Sequence, residues 1–401
     1  MSHRPLVGYL VSHPIQYHAP LFRRLAESSV LDFVALFGIE ATEGGRYDTQ
    51  FGRQVDFGLD LLRGYRWRRV AQASRNPRID AFWSLRTPSL NTIWEVESPD
   101  VLVLHGWRTA MMWQAALGAV FRRTPYLVRA ETPILQHATT SRRLHDAARA
   151  VCIRPLVRRA AGVLSLGTAN DRFYRSLGIA PHLIFRVPYS VDNGAVKHHA
   201  TLGRQQRSVL RARFAIPEGA FLAITAAKLI PRKRPLDLLH ALAQLPEKTH
   251  LLWIGSGELQ DPVREEAQRL GLTHRVHLPG FCSSPMTWTL LGIADIFLLP
   301  SGTEPWGLAI NEAVAAGLPT IVSDACGAAE DLVRPDRTGH VVRTGDIGAW
   351  VGAINTWLGR AEEGTLRSVA TLSDLAALAD RHSLEATARG IENTVTIVST
   401  P

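Results

Sequence analysis

The feature that most constrains this chain is a strand–helix alternation that runs twice. "PLVGYLVS" (5–12), "LDFVALFG" (31–38), "DVLVLHG" (100–106), "PYLVRAE" (125–131) and "GVLSLG" (162–167) are short, almost wholly apolar runs, the pattern of strands buried on both faces. Helical stretches such as 19–28, 109–121 and 141–160 separate them. A second series begins with "AFLAITAAKL" (220–229) and continues through "THLLWIGSG" (249–257), "VHLPGF" (276–281), "DIFLLPS" (295–301) and "PTIVSD" (319–324), with helical runs between. Such alternation builds parallel sheets covered by helices on both faces. Between the series lies "IFRVPYSVDNGAVKHHATLGRQQ" (184–206), rich in Pro, Gly, Asn and basic residues, which reads as a break.

The length, 401 residues, exceeds one ordinary core and fits two doubly wound (Rossmann-like) α/β domains facing across a cleft. The expected division is 1–195, 196–375 and a tail, 376–401, whose amphipathic helix "LEATARGIENTVTIV" (384–398) packs back on the first domain. Ligands of open α/β sheets sit beyond the carboxyl ends of the strands, so residues just after strands are the candidates for chemistry.

Charge is uneven. Residues 1–200 hold 26 Lys+Arg against 15 Asp+Glu, and residues 201–401 hold 19 against 21. The basic half suits an anionic partner or a solvated arginine-rich surface. "SRRLHDAARAVCIRPLVRRAAG" (141–162) alternates Arg142, Arg143, Arg149, Arg154, Arg158 and Arg159 with apolar positions, as a basic helix lying on an anionic membrane would; Pro155 is expected to split it. No aromatic-interleaved basic patch supports nucleic-acid binding. Three cysteines without metal-ligand spacing fit a reducing compartment. The first apolar run is too short for a signal peptide, and the longest, about 110–121, falls short of a bilayer span. The expectation is a cytoplasmic protein with peripheral contact at the inner membrane face.

Three segments of the second series carry the candidate chemistry. In "AAKLIPRKRP" (226–235), Lys228 ends a strand and Lys233 precedes a helix, so both suit a diphosphate at the domain mouth. In "WIGSGEL" (253–259), Gly255 permits close backbone approach, although Gly-x-Gly alone marks only a turn. In "LLPSGTEPWGLAINEAVAAGLP" (298–319), a helix starts near Gly307 and Leu308, where its N–H groups form an anion site. Glu304 lies before that start. Glu312 lies one to two turns inside, too far to cap the helix but able to accept hydrogen bonds from a diol.

Together these segments resemble the retaining GT-B glycosyltransferases of the group 1 (family 4) type. "EPWGLAINE" is similar to that family's E-x7-E motif through Glu304, Gly307 and Glu312, and "AAKLIPRKR" to its "GRL-x3-KG" segment through Lys228 and Lys233. Ala227 and Arg234 stand where the family has glycines, and Lys228 where it has arginine. "PYSVDN" (188–193) resembles the "NGVD" element before the linker. "SHPIQYHAPLFRRLA" (12–26), with His13, replaces the usual Gly-rich loop and is similar to a subset of cell-surface polysaccharide enzymes. His105 and Glu131 occupy cleft positions where many relatives have histidines.

The resemblance implies transfer of a sugar from a nucleotide-diphosphate sugar, with retention, to a glycan or lipid-linked acceptor, in polysaccharide or glycolipid synthesis. Lys228, Lys233 and the N–H groups at Gly307 and Leu308 would take the charge growing on the leaving diphosphate. Glu304 would hold the donor sugar and Glu312 the ribose. His13, His105 and Glu131 would lie on the acceptor side, with Glu131 or His105 as an assisting base. No metal or other cofactor is expected. Two rivals stand beside this: a sugar-nucleotide epimerase on the same fold, which turns over a sugar nucleotide with no acceptor and no transfer, and a non-enzymatic binder of anionic surfaces.

Overall fold

The computed structural model describes residues 4–39, 46–48, 53–131 and 150–399. They form two compact units. Unit 1 comprises Met1–Glu43, Asp60–Ser190 and Ser383–Pro401; unit 2 comprises Gly44–Leu59 and Val191–His382. The strands in chain order are β1 (Leu6–Val11), β2 (Asp32–Phe37), β3 (Arg46–Asp48), β4 (Arg53–Val55), β5 (Trp67–Arg69), β6 (Val101–His105), β7 (Tyr126–Arg129), β8 (Gly162–Ser165), β9 (Ile184–Arg186), β10 (Phe221–Ala226), β11 (Thr249–Ile254), β12 (Val276–Gly280), β13 (Ile296–Leu299), β14 (Thr320–Ser323) and β15 (Gly339–Val342).

Unit 1 holds a seven-stranded sheet in the order β5-β2-β1-β6-β7-β8-β9, and unit 2 a six-stranded one in the order β12-β11-β10-β13-β14-β15. Neighbours in both are parallel. In each sheet the strand order reverses beside the first strand, between β1 and β6 in unit 1 and between β10 and β13 in unit 2. Ligands of doubly wound folds bind at such reversals. The apolar runs are buried on both faces, as full helical cover requires: Val7, Leu10, Leu102 and Leu104 in unit 1, and Leu222, Ile224, Leu252 and Phe297 in unit 2, are inaccessible to solvent.

The structure divides the chain elsewhere than at 195. The described residues 46–48 and 53–59, expected in the first domain, belong to unit 2, although in sequence they fall between β2 and β5 of the unit 1 sheet. The stretch 184–206, read as a break, is an edge strand and then a thirteen-residue helix, Asn193–Gln205. Asp192 starts that helix by accepting a hydrogen bond from the Ala195 N–H at 2.9 Å. At the tail, the helix Leu384–Ser399 buries Thr387, Ala388, Ile391, Thr394 and Val395, one stripe at helical spacing. It packs into the unit 1 core with Leu21, Phe22 and Leu25, as expected.

Of the basic stretch, residues 141–149, with Arg142, Arg143 and Arg149, lie outside the described residues. Residues 150–158 form one helix that runs through Pro155 without the expected split. Its Ile153, Leu156 and Val157 are buried, and Arg154, Arg158 and Arg159 are exposed. No described helix is long and apolar enough to cross a membrane.

Candidate functional site

In unit 2 the candidates follow β10, β11 and β13, at the carboxyl edge of the sheet. After β10 the chain passes Lys228 and makes a 3-10 turn, Pro231–Lys233, before the helix Pro235–Leu242. Arg234, which replaces a family glycine, adopts the left-handed conformation, φ 48°. That costs a non-glycine residue about 1 kcal/mol. Its guanidinium offsets the strain with a two-pronged pair to Asp237, at 2.6 and 3.1 Å.

Gly255 has φ 140°, and a Cβ there would meet the Ala227 carbonyl oxygen at 2.0 Å. The turns after β10 and β11 therefore lie backbone on backbone, and Gly255 is required by the protein's own packing. The same carbonyl accepts the Trp253 indole N–H at 2.8 Å.

After β13 come Ser301, Glu304 and Gly307. Gly307 has φ 101° and immediately precedes the helix Leu308–Ala315, so the start predicted at 307–308 is where the helix begins. The Glu304 carboxylate is nearly buried and ion-pairs with Lys233 through Oε2. The Ser301 hydroxyl approaches the same oxygen at 3.4 Å and Arg232 Nη1 at 3.5 Å. Arg232 also donates to the Thr303 carbonyl at 3.0 Å. Lys233 and Glu304, 71 residues apart, are thus one charge pair at the reversal point.

Glu312 lies in the second turn and is only 5% exposed. It is not the solvated helix face that a surface acid would occupy. Its Oε1 accepts the Trp288 indole N–H at 2.9 Å. Burial pushes its pKa up to about 7, against the opposing pull of that hydrogen bond.

In unit 1, β1, β6 and β7 gather the acceptor-side candidates around a cation that sequence reading passed over. Arg129, at the end of β7, is 1% exposed and donates to the Val187 and Pro188 carbonyls at 3.2 and 3.0 Å. Its guanidinium lies 5.4 Å from the centre of the Tyr189 ring. His105 Nδ1 meets the Tyr9 hydroxyl at 3.2 Å, and the His105 ring lies edge-on to His18 at 4.3 Å. His13 Nδ1 meets the Ser12 hydroxyl at 2.9 Å. Glu131 is exposed and accepts a hydrogen bond from the buried Tyr189 phenol, which burial first and then Glu131 hold well above its usual range.

Burial, with Arg129 and His13 nearby, pushes His105 down to about 3. The ring is neutral at working pH, but so weak a base suits hydrogen bonding better than proton abstraction. The expectation that His105 serves as base loses its physical ground, and Glu131 keeps it. The signal for Arg129 was present as a charged residue inside the apolar run "YLVRA". For His18 and Trp288 no local signal exists. Among the described residues, no cluster of three or more His, Cys, Asp or Glu side chains forms a metal-binding set.

Comparison with known proteins bears on unit 2 and on the fold. Residues 206–365, all within unit 2, match the family model for glycosyl transferases group 1. "Putative glycosyltransferase EpsD" of Bacillus subtilis is 31% identical over 153 residues, 37% of this chain and 39% of that protein. "Lipopolysaccharide 1,6-galactosyltransferase" of Escherichia coli is 26% identical over 140 residues, 34% of this chain and 39% of that one. The chain thus spans about two fifths of the length of these curated relatives. Over nearly its whole length, 98% of this chain and 100% of the other, it shares its fold with Anabaena Alr3699/HepE, solved in complex with UDP, at TM-score 0.73 and 18% identity. The resemblance read from the sequence stands, and the architecture is of the GT-B type.

Proposed function

We propose that the protein is a glycosyltransferase that moves a sugar from a nucleotide-diphosphate sugar to a glycan or lipid-linked acceptor, with retention and without a metal. The observation that carries the reading is the grouping, at the strand-order reversal of unit 2, of Lys233, Glu304 and a helix start, with Glu312 buried in that helix. Two further supports are the family match over unit 2 and the UDP held by a protein of the same fold.

The residues divide the work. Bond cleavage builds charge on the leaving diphosphate, and Lys228, Lys233 and the first N–H groups of the helix Leu308–Ala315 stabilise it. Lys233 need not release Glu304 to do so, because an ammonium has three donors and serves carboxylate and phosphate together. Glu304 keeps Oε1 for a hydroxyl of the donor sugar. Glu312 has Oε1 tied to Trp288 and offers Oε2 to the ribose diol. Glu131, exposed beyond β7, takes the acceptor side with His13 and His105. Peripheral contact with an anionic membrane through the basic helix would suit a lipid-linked acceptor.

The test is a thermal-shift screen over UDP-, GDP- and ADP-sugars. A bound donor raises the melting temperature by an amount set by its concentration over its affinity. The expected result is stabilisation of the wild type by one base class and loss of that response in Lys233→Ala and Glu312→Ala. A wild type indifferent to every sugar nucleotide, or variants that respond as it does, would contradict the reading.

A further inference from the structure

At the amino edge of the unit 2 sheet, four arginines gather around one carboxylate. Asp295 precedes β13 and is tied to the start of β10: its N–H donates to the Leu222 carbonyl and its Oδ2 accepts the Leu222 N–H, each at 2.8 Å. Arg207 and Arg211 hold its two oxygens at 2.8 and 2.9 Å, and both also donate to the Ile293 carbonyl. Arg367, in the turn before the helix Val369–Arg381, donates to the next carbonyl, Ala294, at 2.9 Å. Arg204 donates to the Ala316 carbonyl at 3.0 Å. Its helix, Asn193–Gln205, crosses the helix Ser284–Ile293 backbone on backbone: a Cβ on Gly203 would lie 1.9 Å from the Thr289 carbonyl oxygen, and one on Gly292 2.1 Å from that of Ala200. That close crossing fixes Arg204 beside the others.

Part of this charge has a structural use. The accepting carbonyls close the C-terminal ends of the helices Ser284–Ile293 and Leu308–Ala315, where cations are favoured. Each helix end is equivalent to about half a negative charge, so the two ends and Asp295 amount to about minus two against four guanidinium groups. Glu218, the other acid that acts on Arg211, is exposed and accepts the Ser208 hydroxyl at 2.9 Å. Arg211 is fully engaged: it is inaccessible to solvent, and all three of its side-chain nitrogens donate to carbonyls or to Asp295. The other three are half-buried and keep donors in reserve. Among the described residues, Nε and Nη1 of Arg367 and Nε of Arg204 and Arg207 have no partner. Burial holds Arg367 below the ordinary arginine range; Asp295 opposes this, and Arg204, Arg207 and Arg211 add to it.

We propose that this cluster is a binding site for a phosphate-type oxyanion, held by Arg204, Arg207 and Arg367 on a buried frame of Arg211 and Asp295. The anion is a soluble phosphoester or diphosphate, or a phospholipid headgroup presenting the same oxygens. Guanidinium forks match phosphate oxygens in pairs, and the unused donors supply them. The site lies at the opposite ends of β10 and β13 from Lys233 and Glu304. The six residues of β10 span about 20 Å, so a ligand here does not touch a bound donor. The proposal does not depend on the donor-site reading.

The experiment disables the other candidate phosphate site first. The full chain carrying Lys228→Ala and Lys233→Ala is titrated calorimetrically with inorganic pyrophosphate at constant ionic strength. The titration is repeated with Arg367→Gln, Arg367→Lys or Arg204→Gln added, and the melting temperature of each free protein is taken. The expected result is saturable binding that either glutamine weakens about tenfold or more, and Arg367→Lys by less. Arg204→Gln keeps the test if Arg367→Gln does not fold. Retention on phosphatidylglycerol vesicles but not on phosphatidylcholine, lost in Arg367→Gln, makes the anion a headgroup; saturable pyrophosphate binding without retention makes it a soluble phosphate. Absence of saturable binding in the Lys228→Ala/Lys233→Ala protein, or an affinity that neither glutamine changes, overturns the proposal. So does a lower melting temperature in Arg367→Gln with affinity intact, which marks helix capping alone.

Discussion

The indole N–H of Trp288 donates to Oε1 of Glu312 at 2.9 Å, joining residues 24 apart in the chain. That hydrogen bond lowers the pKa of a carboxyl that burial pushes up to about 7. The helices packed near it carry Lys197, His198, His199, Arg204, Glu330, Asp331, Asp374, Asp380 and Arg381, yet the acting influences are burial and the indole. In Trp288→Phe the shape is kept and the donor lost. The expected outcome is nucleotide affinity whose pH midpoint moves upward relative to wild type, read by titrating UDP between pH 5.5 and 8.5. A uniform loss at every pH would instead mark simple packing.

The same carboxyl links stability to pH. Its folded-state pKa, about 7, exceeds the unfolded value near 4.3. The unfolded chain therefore ionises first, and stability falls as pH rises from about 4.3 through 7. The shift corresponds to about 4 kcal/mol. Glu312→Gln, which keeps an acceptor for Trp288, should match the wild type near pH 4.5 and exceed its stability at pH 8 by up to that amount. Urea denaturation at the two pH values measures this. Equal stability at both would show that the carboxyl is not buried as described.

His105 predicts an opposite slope. Its folded pKa of about 3 lies below the unfolded 6.5, so the stability it contributes is complete above pH 6.5 and is lost as pH falls toward 3. His18, also buried, is lowered well below the ordinary value and acts in the same direction. His105→Gln should flatten acid destabilisation between pH 6.5 and 4 in thermal melts. It should also leave any transfer activity without a new basic limb, since the imidazole is not the base. A steep loss of turnover rescued at high pH would restore His105 to that role.

Much of this was legible locally. Continuous apolar runs made ten of the fifteen described strands, from "PLVGYLVS" to "PTIVSD", stand out, the half-exposed edge strand β12 among them. Edge strands β5 and β9 did not, because half-exposed strands such as Trp67–Arg69 carry arginines. Glu304, Gly307 and Glu312 were legible because one strand-loop-helix fixes their spacing. The Lys233–Glu304 pair and the indole on Glu312 were not, because each joins residues that only the tertiary fold brings together. Asp192 was a missed helix start, hidden in a stretch whose Pro, Gly and Asn content read as a break.

Lys233 and Glu304 should separate by probe. Charge-assisted hydrogen bonds contribute about 1.5–3 kcal/mol, so Lys233→Ala should weaken UDP about 10- to 100-fold. Glu304→Gln should leave UDP, which has no sugar to hold, within about threefold, and weaken the matching UDP-sugar by tenfold or more. Competition titrations of both ligands measure it. Equal effects of Glu304→Gln on UDP and UDP-sugar would remove Glu304 from the sugar side.

Gly255→Ala tests the packing assignment. The added methyl meets the Ala227 carbonyl at 2.0 Å, in a conformation side chains rarely adopt. The expected loss is about 2–4 kcal/mol, read as a lower melting temperature of the free protein. An unaffected melting temperature would show that the two turns can part.

The central claim is sugar transfer, and its most direct measurement is the fate of both halves of a donor. The chain is incubated with nucleotide sugars labelled in the sugar, together with a lipid and glycan extract, and the nucleoside diphosphate released is compared with the label moved. The account predicts equal amounts of free nucleoside diphosphate and transferred sugar from one donor, abolished in a Lys228→Ala/Lys233→Ala double variant. An altered sugar that stays attached to its nucleotide, with no diphosphate released, would contradict it.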